Sequence, residues 1–224
     1  MRVVLFGSTG MVGQGALREC LLAPDVQSVL AVVRKATGQV HPKLRELEHA
    51  DFGDFRALEC DFAGADACFY CLGITAVGTS ESEYERVTHD YAIAAASVLA
   101  RVAPRMTFVF VSADGADETG RSRVRWARVK GRTESEIRAL PFARVVVFRP
   151  ALIQPLHGIR SRTRIYSLVY TATKPLLPFL LRLFPGYVST TERIGRAMLR
   201  VARSGAPKSV LVTRDMNELG ATPH

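Results

Sequence analysis

An apolar, β-branched run at residues 2–6 (RVVLF) is followed at once by Gly7, Gly10 and Gly13 within GSTGMVG, and then by a helical pattern over 11–22. No other feature of the chain constrains its fold as tightly. Glycines at this spacing permit a sharp strand-to-helix turn, let bare backbone approach a ligand, and bring helix and strand close together. A helix start adds free backbone N–H groups and a favourable dipole. The turn made of Gly7, Ser8, Thr9, Gly10, Met11, Val12 and Gly13 therefore reads as a seat for an anion. Between the first strand and first helix of an α/β unit, that anion is the pyrophosphate of a dinucleotide.

The rest of the chain repeats this alternation. Strands are expected near 2–6, 28–33, 44–49, 67–71, 107–111, 143–148 and 209–213, and helices near 11–22, 54–59, 82–102, 123–139 and 190–203. Several strands are continuous apolar runs, the pattern of a sheet covered by helices on both faces. Alternating strands and helices imply βαβ units, hence an α/β protein with a Rossmann-type, doubly wound, mainly parallel sheet. At 224 residues the chain fits one such domain, 1–224, without a second.

Residues 151–189 break the alternation after the sixth strand, and are rich in Pro, Arg, Tyr and Leu. An insertion there lies over the carboxyl ends of the strands, where open α/β sheets bind their ligands. It is the expected substrate-covering segment. Its apolar part, 165–184, is interrupted by Lys174, Pro175, Pro178 and Arg182 and does not read as a membrane span. An apolar stretch of this kind serves as a cover over the substrate, a homodimer contact or a peripheral membrane contact. Tyr166, Tyr170 and His157 are its proton-exchanging candidates.

The second strand selects the form of the dinucleotide. An NAD site carries an acidic residue about 20 residues beyond the glycine turn, accepting from the ribose 2′-OH. Here Arg34 and Lys35 follow the second strand instead. A guanidinium forks onto phosphate oxygens that a carboxylate would repel, so NADP(H) is preferred over NAD(H).

Composition bounds what remains. Hydrophobic residues make up 48% and charged residues 23%, which excludes a disordered chain. The net charge of +9 favours anionic ligands or surfaces. Six basic residues crowd into 121–132 (RSRVRWARVKGR), but no aromatic platform or nucleic-acid motif accompanies them, so no nucleic acid is expected. Cys68 and Cys71 form a C-x-x-C inside an apolar strand, where residues three apart point to opposite faces. Neither they nor the histidines show metal-ligand spacing, so no metal is expected. The first strand follows directly on Met1, without a basic leader and long apolar run, which predicts a soluble, cytoplasmic protein.

The stretches GSTGMVG, FYCLGIT, YERVTHDY, VFVSADGAD, WARVKGRTE and VFRPALIQP together resemble the atypical, extended-like short-chain dehydrogenase/reductases. The likeness is to their NAD(P)-binding, epimerase/dehydratase-like group, and within it to the branch of the Tat-interacting protein homologues. It implies that Asp51 and Phe52 contact the adenine and that Cys71, Leu72 and Gly73 pass beside the adenine ribose. It further implies that Ser112 orients the substrate, that Lys130 binds the nicotinamide ribose, and that Pro150, Ala151, Leu152 and Ile153 flank the nicotinamide. One departure stands out. The family's catalytic pair is Tyr-x-x-x-Lys, and Trp126 occupies the tyrosine position. An indole N–H donates a hydrogen bond but is no acid at physiological pH. Two functions are compatible with this pattern: an NADP(H)-dependent oxidoreductase or epimerase-like enzyme with a nonstandard proton donor, or a non-catalytic NADP(H)-binding regulator or redox sensor.

Overall fold

The structure, a computed structural model, describes residues 1–159, 184 and 186–221. Its first six strands are β1 (Arg2–Phe6), β2 (Ser28–Val33), β3 (Leu44–Glu48), β4 (Ala67–Tyr70), β5 (Thr107–Val111) and β6 (Arg144–Arg149). Three short ones follow: β7 (Leu152–Gln154), β8 (Val188–Thr190) and β9 (Val210–Val212). Seven strands form one sheet in the order β3-β2-β1-β4-β5-β6-β9, every neighbouring pair parallel. The order reverses between β1 and β4, and a reversal of this kind opens a crevice at the carboxyl ends of the strands. This is a single Rossmann-type domain.

Both faces of the sheet are buried, as continuous apolar strands require. Val3, Leu5, Phe69, Val109 and Phe148 pack on one face with α1 (Met11–Leu22) and α6 (Thr191–Ser204). Val4, Phe6, Cys68, Tyr70, Phe108 and Phe110 pack on the other, with α2 (Glu59–Phe62), α4 (Tyr91–Val102) and α5 (Arg125–Ala139). On that face Phe55 stands edge-on to Phe6, 5.4 Å between ring centroids. Each fully buried aliphatic or aromatic side chain contributes about 1.5–3 kcal/mol. Helices α1 and α6 cross closely because both offer glycine: a Cβ on Gly15 would stand 2.6 Å from the Thr191 carbonyl oxygen. Glu19, fully buried at this crossing, pairs with Arg18 and Arg196.

Several elements depart from the sequence reading. The expected helix 54–59 is a single 3-10 turn, Arg56–Leu58, running into α2. The expected helix 82–102 is α3 (Glu81–Glu85), a π turn over Arg86–Asp90, and then α4. Its start is capped by Ser80, whose Oγ accepts from the Glu83 N–H at 3.3 Å. At the π turn His89 bonds both Asp90 and Glu136 of α5, a tertiary anchor invisible to helical periodicity. The last strand ends at Val212, and α7 (Thr213–Leu219) follows, its first turn braced by the Asp215 carboxylate on the Val212 N–H.

The two ends of 151–189 lie side by side: β7 and β8 pair in parallel, Leu152 opposite Val188. The apolar stretch 165–184, with Tyr166 and Tyr170, lies outside the described residues except for Phe184. The two sulfurs of the C-x-x-C diverge: Cys68 sits in one face's core and Cys71 packs against the other's. Burial pushes both thiols well up, away from reactive thiolate.

Candidate functional site

The residues singled out by sequence line one edge of the sheet in strand order. Asp51 and Phe52 follow β3; Arg34 and Lys35 follow β2; the glycine turn follows β1; Cys71 to Gly73 follow β4; Ser112 follows β5; Pro150 leads out of β6. All lie at carboxyl ends, so parallel pairing alone brings them together.

The glycine turn is held by its own backbone. Gly7 takes φ of +75°, a left-handed conformation that strains any side chain. The Gly10 N–H donates to the Gly7 carbonyl at 2.9 Å, and the Gln14 side-chain amide donates to the Thr9 carbonyl at 3.0 Å. A Cβ on Gly7 would stand 2.7 Å from the Cys71 backbone, and one on Gly13 only 2.0 Å from the Gly7 oxygen. These two glycines serve packing between the turns. Gly10 differs: its Cβ would meet only the Gly7 oxygen, at 3.3 Å, with open space beyond. Gly10 is also the N-cap of α1, and no side chain caps that helix or places a carboxylate in its first turn. The orphan N–H groups of the first turn are left to a ligand or water. Ser8 Oγ, in the same turn, is buried without a partner among the described residues.

Beyond β2, Arg34 and Lys35 are exposed, and their side chains make no hydrogen bond or ion pair among the described residues. Behind them a latch went unnoticed in the sequence. Glu48 accepts from the Ala36 N–H, while Glu46 accepts from the Thr37 N–H, the Thr37 hydroxyl and the Gly38 N–H at 2.7–3.3 Å. Two carboxylates of β3 thus shape the loop that carries the basic pair. Asp51 is exposed and accepts from the Gly53 N–H, whereas the Phe52 ring is core, packed on Phe55 and Tyr91. Leu72 likewise packs against the core. Only the backbone of these two residues faces the edge as a resource for recognition.

At the other end, Ser112 is anchored by its N–H to the Phe148 carbonyl at 2.8 Å, and its Oγ is buried with no partner among the described residues. Trp126 and Lys130 lie one turn apart on α5, whose start is clasped by the loop after β5. The Asp117 N–H donates to the Ala127 carbonyl, and a Cβ on Gly131 would overlap the Asp117 oxygen. The Trp126 ring lies against Gly115, 3.4 Å from where a Cβ would be. Lys130 is half-buried, its Nζ 5.9 Å above the Phe110 ring centroid. Burial draws its ammonium down to about 8, with Glu134 pulling partly the other way. Glu134 itself is fully buried and receives the Arg149 guanidinium, which also grips Glu118. Of this brace only the i, i+4 spacing of Lys130 and Glu134 was legible in sequence.

Pro150 is buried and its carbonyl accepts from the Asp114 N–H at 3.0 Å, joining the loops after β5 and β6. The Ala151 N–H donates to the Thr213 hydroxyl and the Leu152 N–H to the Tyr187 carbonyl. Ile153 is buried while Ala151 and Leu152 are exposed. His157, at φ of +57°, has its ring bonded to Glu192 in the first turn of α6. That bond holds the Glu192 carboxyl below its usual range. Among the described residues no group of His, Cys, Asp and Glu could hold a metal ion.

No family model matches the chain. It is 31% identical to the mitochondrial protein fmp52 of Emericella nidulans over 169 residues, covering 72% of this chain and 70% of that protein. Against HTATIP2 of Rattus norvegicus it is 28% identical over 154 residues, 67% of this chain and 62% of the other. The chain belongs to the FMP52–HTATIP2 family. Membership extends along the chain: FMP52 of Meyerozyma guilliermondii is 27% identical over 227 residues, 95% of this chain and 92% of that one. These fungal FMP52 relatives are named mitochondrial proteins, which overturns the expectation of a cytoplasmic protein. No helix among the described residues is long and apolar enough to cross a membrane. Solved structures share the fold. A short-chain dehydrogenase/reductase family oxidoreductase from Burkholderia thailandensis has a TM-score of 0.67 at 16% identity, covering 99% of this chain and 93% of that one. The enzyme WbmF of Bordetella bronchiseptica, in complex with NAD+, has a TM-score of 0.66 at 16% identity, covering 100% and 79%.

Proposed function

We propose that this member of the FMP52–HTATIP2 family is an oxidoreductase or epimerase-like enzyme that binds a nicotinamide dinucleotide and prefers NADP(H). The observation that carries the reading is the continuous edge of loops at the carboxyl ends of β1 to β6, where two of the buried hydroxyls without a partner among the described residues, Ser8 Oγ and Ser112 Oγ, both lie. Buried hydroxyls are ordinarily satisfied, and a ligand along this edge would complete both. The open space over Gly10 and the uncapped start of α1 fit a pyrophosphate. In this assignment Gly7 to Gly13 hold the pyrophosphate and Arg34 with Lys35 the 2′-phosphate. The Asp51–Phe52 backbone meets the adenine, and Cys71 to Gly73 its ribose. Lys130 reaches the nicotinamide ribose, Pro150 to Ile153 flank the nicotinamide, and 151–189 covers the substrate. The bound nicotinamide supplies a hydride. The protein orients the substrate oxygen at Ser112, and Trp126 forms a wall where relatives of this class place a phenol.

Isothermal titration tests the cofactor. NADPH is expected to bind more tightly than NADH, and Arg34→Ala to remove about 1.5–3 kcal/mol of NADPH affinity while sparing NADH, because a charge-assisted phosphate contact is lost. Equal wild-type affinities contradict the preference, and binding of neither dinucleotide contradicts the whole reading.

The second reading, a cofactor-binding regulator without catalysis, rests on Trp126 alone. Trp126→Tyr restores a phenol one turn from Lys130. It is expected to leave NADPH-dependent carbonyl reduction unchanged or to raise it, by less than the about 10²–10⁴-fold that a newly positioned acid would supply if none were present. Robust wild-type turnover abolished by Trp126→Tyr would show that the indole shapes a working site.

A further inference from the structure

The missing phenol leaves the question of what delivers a proton at this site, and the surroundings of Lys130 answer it, granted the oxidoreductase reading above. Trp126, one turn earlier on α5, offers only an indole N–H, and its ring lies against Gly115. Ser112 is well placed to donate a hydrogen bond, but a serine hydroxyl is far too weak an acid to end as an alkoxide at neutral pH. His157 is committed to Glu192. Lys130 remains. Its Nζ reaches from α5 across to β5, 5.9 Å from the ring centroid of Phe110, the residue two before Ser112 in sequence, and makes no hydrogen bond or ion pair among the described residues.

The groups around Lys130 explain why it stays unpaired. On its own helix the nearest carboxylate is Glu134, one turn on, and that carboxylate is taken by Arg149 from β6, with both oxygens 3.1 Å from Nε. The loop after β5 contributes Glu118, which is likewise taken, by Arg149 and Arg138. Strand β5 presents Phe110, and Ser112 follows directly after it; neither is charged. The Arg149–Glu134 pair therefore withholds from Lys130 the one carboxylate that would lock it as a permanent ammonium.

We propose that Lys130 is the general acid of this site, delivering the proton directly to the substrate oxygen while Ser112 Oγ donates a hydrogen bond to the same atom. As the carbonyl carbon receives a hydride, the C=O π pair moves onto oxygen, an O–H bond forms and an Nζ–H bond breaks. The carbonyl is reduced, the reduced dinucleotide is oxidised, and Lys130 is left a neutral amine that regains a proton from water. In the opposite direction the neutral amine accepts the alcohol proton. An ammonium drawn down to about 8 by burial suits both roles.

Direct titration and kinetics test this together. In dinucleotide-free protein carrying 13C-labelled lysine, the resonance absent from Lys130→Gln should titrate near 8, where burial places it. A midpoint at the ordinary value of about 10.4 overturns the proposal. With NADPH and 9,10-phenanthrenequinone, kcat/KM should be full below that midpoint and fall about tenfold per pH unit above it, as the acid loses its proton. Lys130→Gln should lower kcat by about 10²–10⁴-fold, the contribution of a general acid. Lys130→Arg keeps the positive charge but releases no proton at these pH values. It should bind NADPH nearly as wild type does and still lose turnover, whereas rescue of turnover by arginine means that Lys130 acts only through charge or positioning and overturns the proposal. Wild-type protein that binds NADPH and reduces no member of a carbonyl panel overturns it as well. Protein that binds neither NADPH nor NADH overturns the oxidoreductase reading beneath it.

Discussion

Arg149→Met is expected to destabilise the protein by about 3–5 kcal/mol, because it strands a buried charge. Glu134 is fully buried on α5, and Arg149 at the end of β6 is its guanidinium partner. Removing one partner of a buried pair leaves the other's desolvation uncompensated, whereas removing both is far less costly. For a chain of this size the loss corresponds to a fall of about 6–20 °C in Tm. The double variant Arg149→Met, Glu134→Leu should recover most of it. Thermal and urea unfolding of the wild type, the single and the double variant decide the matter; a single variant within about 1 kcal/mol of wild type contradicts a buried pair at this place. The same substitution has a second consequence. Freed from Arg149, the Glu134 carboxylate turns its full field on Lys130, one turn away, and should raise the lysine's titration midpoint above its wild-type value of about 8.

Gly10→Val should abolish dinucleotide binding, by about a hundredfold or more, while leaving the fold intact. The Gly10 Cβ position meets only the Gly7 carbonyl, at 3.3 Å, so the protein itself accommodates a side chain there with a small shift. The branches would fill the space over the first turn of α1, where the pyrophosphate is proposed to sit. Gly13→Ala is the informative contrast. Its Cβ would fall 2.0 Å from the Gly7 oxygen, so the turn must break and stability must fall along with binding. Overpacking of this kind costs about 1–3 kcal/mol or more. Titration calorimetry with NADPH and thermal melts of both variants separate the two glycines. NADPH binding by Gly10→Val at wild-type strength would show that the phosphate site lies elsewhere.

The glycine turn, the sheet class and most strand positions were legible because each depends on local chemistry: left-handed φ at Gly7, β-branched runs, and apolar strands covered on both faces. Helices read less well where their ends answer to tertiary contacts. The π turn at Arg86–Asp90 follows His89 reaching Asp90 and Glu136, and nothing in helical periodicity marks it. Strands β7 and β8 escaped notice because each is only three residues long and pairs across a gap in sequence. The basic pair Arg34–Lys35 was visible as a cofactor signal, but its support by Glu46 and Glu48 was not, since those carboxylates lie on an edge strand and look solvated in sequence.

The order of chemistry along the chain, from glycine turn to Arg34 to Ser112 to Trp126 and Lys130, is a property of the sequence alone. So is the spacing of Trp126 and Lys130, on which the proposal of an indole in place of a phenol rests. Placing these residues on one edge required the parallel sheet, because only strand order puts the turns after β2, β1, β4, β5 and β6 side by side. The state of Lys130 was also decided by tertiary structure. Its burial over Phe110 and the capture of Glu134 by Arg149 depend on α5, β5 and β6 packing together. A lysine's charge answers to the solvent and partners around it, and those are set by neighbours distant in sequence.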